Sequence, residues 1–453
     1  MRTCKADAQA TNRTATIHQH MPLPSQTRRD FLQQAGLLSA SMLAARMGLA
    51  VGRKTNPVIL LRSGWQIENI GDVAHTPGFL ALMETYLPGA RAIFWPHYAV
   101  LPQSEIDMLR LRFPRLQIVR GKIVDGKPDN PELEKAFAEA DLFVHNSGPA
   151  MIGWAEAEAF KKLTGKPFGV FGVTYGLYGK QERATLPKAD FIYFRDSVSL
   201  ALAKQDGITA PIMAFGPDAA FATDVVNREA AARYLKANNL KPGKFVVCIP
   251  KQRHTPSWLH KAKNRPIDPD RQARNEAMKE HDHAPMREAI IAIVRQTDCK
   301  VLIGHEDETE LPIGKEWLLD KLPDDVKKGV VWRSEPWLLE EALGIYRQSA
   351  GYFGHEQHTP IMCIGSGIPA ILGRWEEQSS KGFMWKDIGL SDWLFDFDRE
   401  EDIRRYVPTV LAMVQKPQEA KAYARQAQTL VQRNQKDGFQ TVINTLNKAP
   451  KQG

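Results

Sequence analysis

Cysteine is scarce, with four in 453 residues. Cys4 stands at the start of the chain, and Cys248, Cys299 and Cys363 follow far apart. Three thiols cannot all pair, and Cys248 and Cys363 sit in apolar runs that read as buried, so neither a disulfide framework nor a thiolate metal site is expected. Beyond residue 50 no apolar run is long enough to cross a bilayer. Blocks of Lys and Arg interleaved with aromatics are also missing, which excludes nucleic acid as the expected partner. The formal charge is +8, but half of it lies in residues 1–50 and the rest is spread along the chain. What remains after residue 50 is enough for two ordinary domains.

The N-terminal segment has its own signature. Thr27-Arg28-Arg29-Asp30-Phe31-Leu32 opens a run from Gln33 to Ala50 of small and apolar residues that holds one charge, Arg46. It ends in Gly48-Leu49-Ala50, a small-x-small pattern of the kind signal peptidases cut. The segment resembles twin-arginine signal peptides, whose pathway carries folded proteins. The resemblance implies the twin-arginine export machinery as a partner and a periplasmic or extracellular destination. Too short and too rich in Ala, Gly and Ser for a membrane anchor, residues 1–50 are set aside as a signal peptide.

Past them, short apolar runs alternate with amphipathic stretches, the pattern of βαβ units. Strands are expected at 58–61, 92–95, 116–119, 142–145, 168–173 and 191–194, with helices between them at 76–87, 131–139 and 154–164. Ser197 is expected to cap a helix running to Gln205. A second series follows: a helix at 228–239, strands at 245–249, 300–304, 329–332, 351–354 and 369–372, and helices at 284–296, 340–349 and 359–366. Residues 256–283, polar and holding several Pro, Lys and Arg, read as a long mobile insertion. The fold class expected is α/β: two Rossmann-like doubly wound lobes, residues 56–225 and 226–400, with a cleft between them and C-terminal helices over 401–453. Ligands are expected beyond the carboxyl ends of the strands.

Asn69-Ile70-Gly71-Asp72 follows the first strand. Arg195-Asp196-Ser197 with Ser199, then Phe215-Gly216-Pro217-Asp218, closes the first lobe. Residues 354–372, then Lys381 and Gly389-Leu390, hold a histidine, a helix, a Gly-x-Pro strand and a lysine. In this order and spacing the chain resembles the polysaccharide pyruvyl transferase family from about Pro57 to about Asp396. The resemblance implies a GT-B-like fold and transfer of the enolpyruvyl unit of phosphoenolpyruvate to sugar hydroxyls, giving a cyclic ketal. The partner it implies is a cell-envelope carbohydrate, with no cofactor. That chemistry needs a proton donor and acceptor and cations for carboxylate and phosphate. The resemblance makes His358 the acid–base group and Arg195 an anion-binding cation. Asn69, Gly71 and Asp72 on one βα turn, and Asn146, Ser147 and Gly148 on another, are candidates for holding an anion or sugar hydroxyls. Turn chemistry alone explains them equally well. Lys381 would face the cleft from the next loop.

One departure stands out. Glu356 occupies the place of the family's arginine, in His355-Glu356-Gln357-His358. A carboxylate there inverts the local charge, so Glu356 is read as a substrate-binding residue of changed character. Lys251 and Arg253, just after the first strand of the second lobe, are expected to supply the missing positive charge. Phosphoenolpyruvate is a cytoplasmic metabolite, so the export signal and Glu356 both point to a retained fold with the donor changed or lost. Two alternatives stay open: a carbohydrate-binding member without transfer, and a metal-assisted hydrolase using His305-Glu306-Asp307-Glu308 with His355 and His358. Solvated loop charges are the simpler reading of the latter set, and no metal is expected.

Overall fold

The computed structural model describes residues 56–97, 101–177, 179–260 and 264–448. The twin-arginine segment and Cys4 lie outside the described residues. Apolar, β-branched and aromatic runs form the strands. Val58–Ser63 (β1), Arg91–Pro96 (β2), Gln117–Ile118 (β3), Leu142–His145 (β4), Phe168–Val173 (β5), Phe191–Phe194 (β6) and Met213–Phe215 (β7) make one sheet. Its order is β3-β2-β1-β4-β5-β6-β7 and every pairing is parallel. Phe245–Ile249 (β8), Lys300–Ile303 (β9), Val330–Trp332 (β10), Gly351–Gly354 (β11), Ala370–Arg374 (β12) and Leu394–Asp396 (β13) make the second, in the order β10-β9-β8-β11-β12-β13, again parallel. Strands β1, β5, β8 and β12 are buried along their whole length, as parallel strands covered on both faces must be. The strand order reverses between β1 and β4 and between β8 and β11. Those two switch points are where crevices open in doubly wound sheets.

Four local expectations are corrected. Residues 269–283 are not a mobile insertion: one helix runs Pro269–Gln296, capped by Asp268, which accepts from Arg271 N at 3.1 Å. Its first half has little apolar periodicity because polar contacts hold it. Asn275 accepts from His254 N at 2.9 Å and donates to His254 O at 2.7 Å. Asp196 rather than Ser197 caps the helix Ser197–Gln205, accepting from Ser199 N at 2.7 Å. A helix Gln103–Arg112 and strand β13 were not expected; both are short and carry weak apolar patterns.

The lobes are tied at two places. The turn Ala219–Ala222 lies between the helices His75–Tyr86 and His358–Gly365. A Cβ at Gly78 would lie 2.0 Å from Ala219 O, and one at Gly365 would lie 1.9 Å from Phe221 O, so only glycine allows this approach. The last helix, Pro417–Lys448, leaves the second lobe and returns to the first. Gln428 donates to Gly365 O at 2.7 Å. Further along, Phe439 packs on Phe79 and Phe171, with ring centroids 5.2 and 5.5 Å away. Burial of Phe439 contributes about 2–3 kcal/mol to holding this strap in place. Cys248, Cys299 and Cys363 are free and buried in the core. Among the described residues, no helix is long and apolar enough to cross a membrane.

Candidate functional site

Asn69 ends the loop after β1 and caps a four-residue helix, Ile70–Val73, accepting from Gly71 N at 2.8 Å and Asp72 N at 3.2 Å. The cap turns Asp72 toward the opposite lobe. There Ile70 N donates to Glu306 O at 3.0 Å and Asn69 bridges to Asp307. The His358 side chain lies on Gly71: a Cβ at Gly71 would fall 2.1 Å from the His358 Cβ. Gly71→Ala is therefore expected to push the imidazole out of place, lowering stability by roughly 1–3 kcal/mol. A melting curve checks it.

Beside Asp72, the first-lobe wall is built on Asp218. Arg195 donates to Asp218 Oδ2 at 2.8 Å and to Thr174 Oγ1 at 2.7 Å, and His75 Nε2 lies 3.3 Å from the same carboxylate oxygen. Burial alone would raise the Asp218 carboxyl, but His75 and Arg195 hold it well below the ordinary carboxylate range. Lys381 comes from the second lobe and is 4% exposed. Burial, with the Arg195 charge beside it, brings its ammonium down to about 8.

Behind this wall, Asn146 donates to Ser63 Oγ at 3.1 Å and His75 O at 2.8 Å, while Ser147 accepts from Ala219 N at 2.9 Å. Gly148 takes part in backbone pairing with Val173. Asn146 thus supports the turn carrying His75 and Ser147 the turn at Ala219, and none of the three lines the cleft, although their neighbour Pro149 does.

The second-lobe wall gathers carboxylates around one lysine. Lys251 Nζ is in close contact with Glu356 and 3.6 Å from Glu310 Oε1. Burial works against the Glu356 charge, yet Lys251 keeps its carboxyl at about 2. Burial together with the Glu356 charge pushes Glu306 and Glu310 well above the ordinary range. Glu306 Oε1 accepts from His358 N and Thr359 N, both at 2.8 Å, and so caps the helix His358–Gly365 from the neighbouring loop. Its Oε2 lies 3.6 Å from His358 Nδ1, and Asp72 Oδ1 lies 3.6 Å from His358 Nε2. Burial and the nearby Lys381 hold the His358 imidazole well below its usual range, so it is neutral.

The expectation that Arg253 offsets Glu356 is corrected. Its guanidinium is taken up by Asp282 through two bonds of 2.9 and 3.0 Å, and by Glu377 at 3.0 Å and Asp398 at 2.6 Å. Among the described residues, the cation paired with Glu356 is Lys251.

Asn69, Asp72, Arg195, Lys251, Arg253, Glu356, His358 and Lys381 all line one cleft of about 490 Å³, at the carboxyl ends of both sheets. The sequence reasoning missed His75 and Glu310 and did not assign Asp218 a role, although Pro217-Asp218 was part of the motif that closes the first lobe.

The sequence model of the polysaccharide pyruvyl transferase family matches residues 69–374. The chain belongs to that family. The match begins at the Asn69 turn and ends at the last residue of β12, so it takes in both walls of the cleft but not Lys381. No curated protein matches the chain. Solved structures similar to it are GT-B-like. The UDP complex of an Anabaena protein, Alr3699/HepE, is 9% identical, covering 86% of this chain and 99% of its own, at a TM-score of 0.52. The UDP complex of MnaA from S. aureus is 10% identical, covering 88% and 100%, at 0.51. The UDP-GlcNAc 2-epimerase of Neisseria meningitidis bound to UDP-GlcNAc is 10% identical, covering 86% and 100%, at 0.50. At such identities the likeness shows the fold alone.

Proposed function

We propose that this cleft transfers a pyruvyl group from an anionic donor to hydroxyls of a cell-envelope carbohydrate. The observation that carries the reading is that Arg195 and Lys381 stand on one cavity with a neutral imidazole, His358. The cations receive the donor's carboxylate and leaving group. Ketal formation from an enolpyruvyl donor joins two hydroxyl oxygens to one carbon. One hydroxyl proton ends on the methylene carbon, the other on the departing group. A single base that takes up and returns protons suffices, and His358 has that character, with Glu306 and Asp72 on its two nitrogens. The test is release of phosphate from phosphoenolpyruvate that depends on an added envelope glycan, with the pyruvylated product followed by mass spectrometry. Glycan binding without any turnover would sink the transfer reading.

That outcome would support a second reading, a carbohydrate-binding member without transfer. Glu356 favours it, since its ion pair with Lys251 occupies the ground of the family's arginine. The twin-arginine segment belongs to the same proposal and puts the protein outside the cytoplasm. Replacing Arg28 and Arg29 together by Lys is expected to stop export, read by cell fractionation.

The sign of the pH effect follows from Lys381. Its ammonium is charged below about 8 and neutral above. Affinity for phosphoenolpyruvate is expected to be constant in acid and to fall as pH rises through that value. Lys381→Arg, charged throughout, should flatten the curve. A titration of Kd between pH 6 and pH 10 checks both.

A further inference from the structure

We infer that Asp72, His75 and His358 form a binding site for a divalent transition-metal ion of the zinc or cobalt type. The site rests on geometry in both lobes. Asp72 Oδ1 lies 3.9 Å from His75 Nδ1 and 3.6 Å from His358 Nε2, too far for direct hydrogen bonds. One ligand atom from each of the three residues lies within 4.8 Å of the others. A tetrahedral ion held at about 2.1 Å from each ligand needs edges of roughly 3.4 Å, and the two edges at Asp72 lie within about half an ångström of that.

The independent observation is the state of the imidazoles. Both are at least nine-tenths buried, and among the described residues His75 Nδ1 and both ring nitrogens of His358 have no hydrogen-bond partner. Each has a carboxyl group behind it. Asp218 Oδ2 stands 3.3 Å from His75 Nε2, and Glu306 Oε2 stands 3.6 Å from His358 Nδ1. A carboxylate placed as Asp218 is behind His75 turns the lone pair of the other ring nitrogen forward. Arg195 holds Asp218 Oδ2 at 2.8 Å on the Nε2 side of His75, which leaves Nδ1 as the ring nitrogen that faces Asp72. A carboxylate oxygen and an imidazole nitrogen, both buried and 3.9 Å apart, offer a cation two ligands.

Asp72 and His358 line the cleft, which leaves open positions for solvent or a sugar hydroxyl. Glu306, Glu356 and His358 also come close enough to share an ion. There, however, Lys251 already pairs with Glu356.

The consequence rests on the transfer reading. An ion on His358 Nε2 takes away the base, so occupancy inhibits transfer. The probes are Zn2+ alone and Co2+ alone, added to the purified full-length protein. One Zn2+ per chain is expected by calorimetry, and Co2+ should give visible bands of a four- or five-coordinate nitrogen-ligated ion. His75→Gln should weaken binding at least tenfold, and Asp218→Asn about 10–100-fold. His305→Gln, outside the set, should leave it unchanged. If His75→Gln fails to fold, the Co2+ spectrum of the unaltered protein still decides. Absence of Co2+ bands, or binding insensitive to His75 in a folded variant, overturns the site. Tight binding with faster transfer would uphold the site and overturn the role given to His358.

Discussion

His358→Asn is expected to lower turnover by about 10²–10⁴-fold, the usual worth of a positioned acid–base group. The prediction separates chemistry from scaffold. Asparagine keeps a planar polar side chain, so the helix His358–Gly365 and its cap on Glu306 remain, because that cap uses the backbone of His358 and Thr359. Affinity for the anionic donor should stay near its original value, since Arg195 and Lys381 are untouched. The pH profile should also lose the limb that belongs to this imidazole, which burial and Lys381 place below the usual histidine range. A merely structural histidine would give a different result: a lower melting temperature with turnover and donor affinity falling together. Steady-state kinetics on the folded variant, alongside phosphoenolpyruvate binding, checks which pattern holds.

Arg253→Met is expected to cost about 3–5 kcal/mol of stability, because it removes one partner of a buried ionic network and strands the others. The Arg253 side chain is 0% exposed and Asp282 is 2% exposed, while Glu377 and Asp398 are partly open to water. The carboxylate of Asp282 therefore loses most, and the helix Pro269–Gln296 it belongs to should loosen with it. For a chain of this size the melting temperature should fall by roughly 4–6 °C. Arg253→Met with Asp282→Asn should recover a large part of the loss, because the stranded charge is gone. Differential scanning calorimetry of the single and double variants checks the coupling. A single variant within about 1 kcal/mol of the original protein would show that the network carries little weight.

Arg253 also shows why some of the site could be read from sequence and some could not. Its place after β8 was legible, because a strand followed by a turn puts the next residues at the carboxyl edge of the sheet. Its partners were not. Asp282, Glu377 and Asp398 are separated from it by 29, 124 and 145 positions, and only packing brings them near. Lys251 was placed beside the cleft by the same logic, and there the expected charge does meet Glu356. The helix Pro269–Gln296 was half missed for a related reason. Its first half is held by Asn275 and Asp282 rather than by an apolar stripe, and periodicity reads apolar stripes.

By itself the sequence determined the two doubly wound sheets, the cleft at their carboxyl ends, the family, and the presence there of His358, Arg195, Asp72 and Glu356. Strand runs and βα turns are local, and a parallel α/β fold leaves few ways to arrange them. Only the tertiary structure decided the protonation and pairing within the cleft. It set Asp218 between His75 and Arg195, paired Glu356 with Lys251, and laid His358 on Gly71 so that carboxyl groups from both lobes flank the imidazole. Those choices depend on distances and burial between residues far apart in the chain, and electrostatic energies change steeply with both.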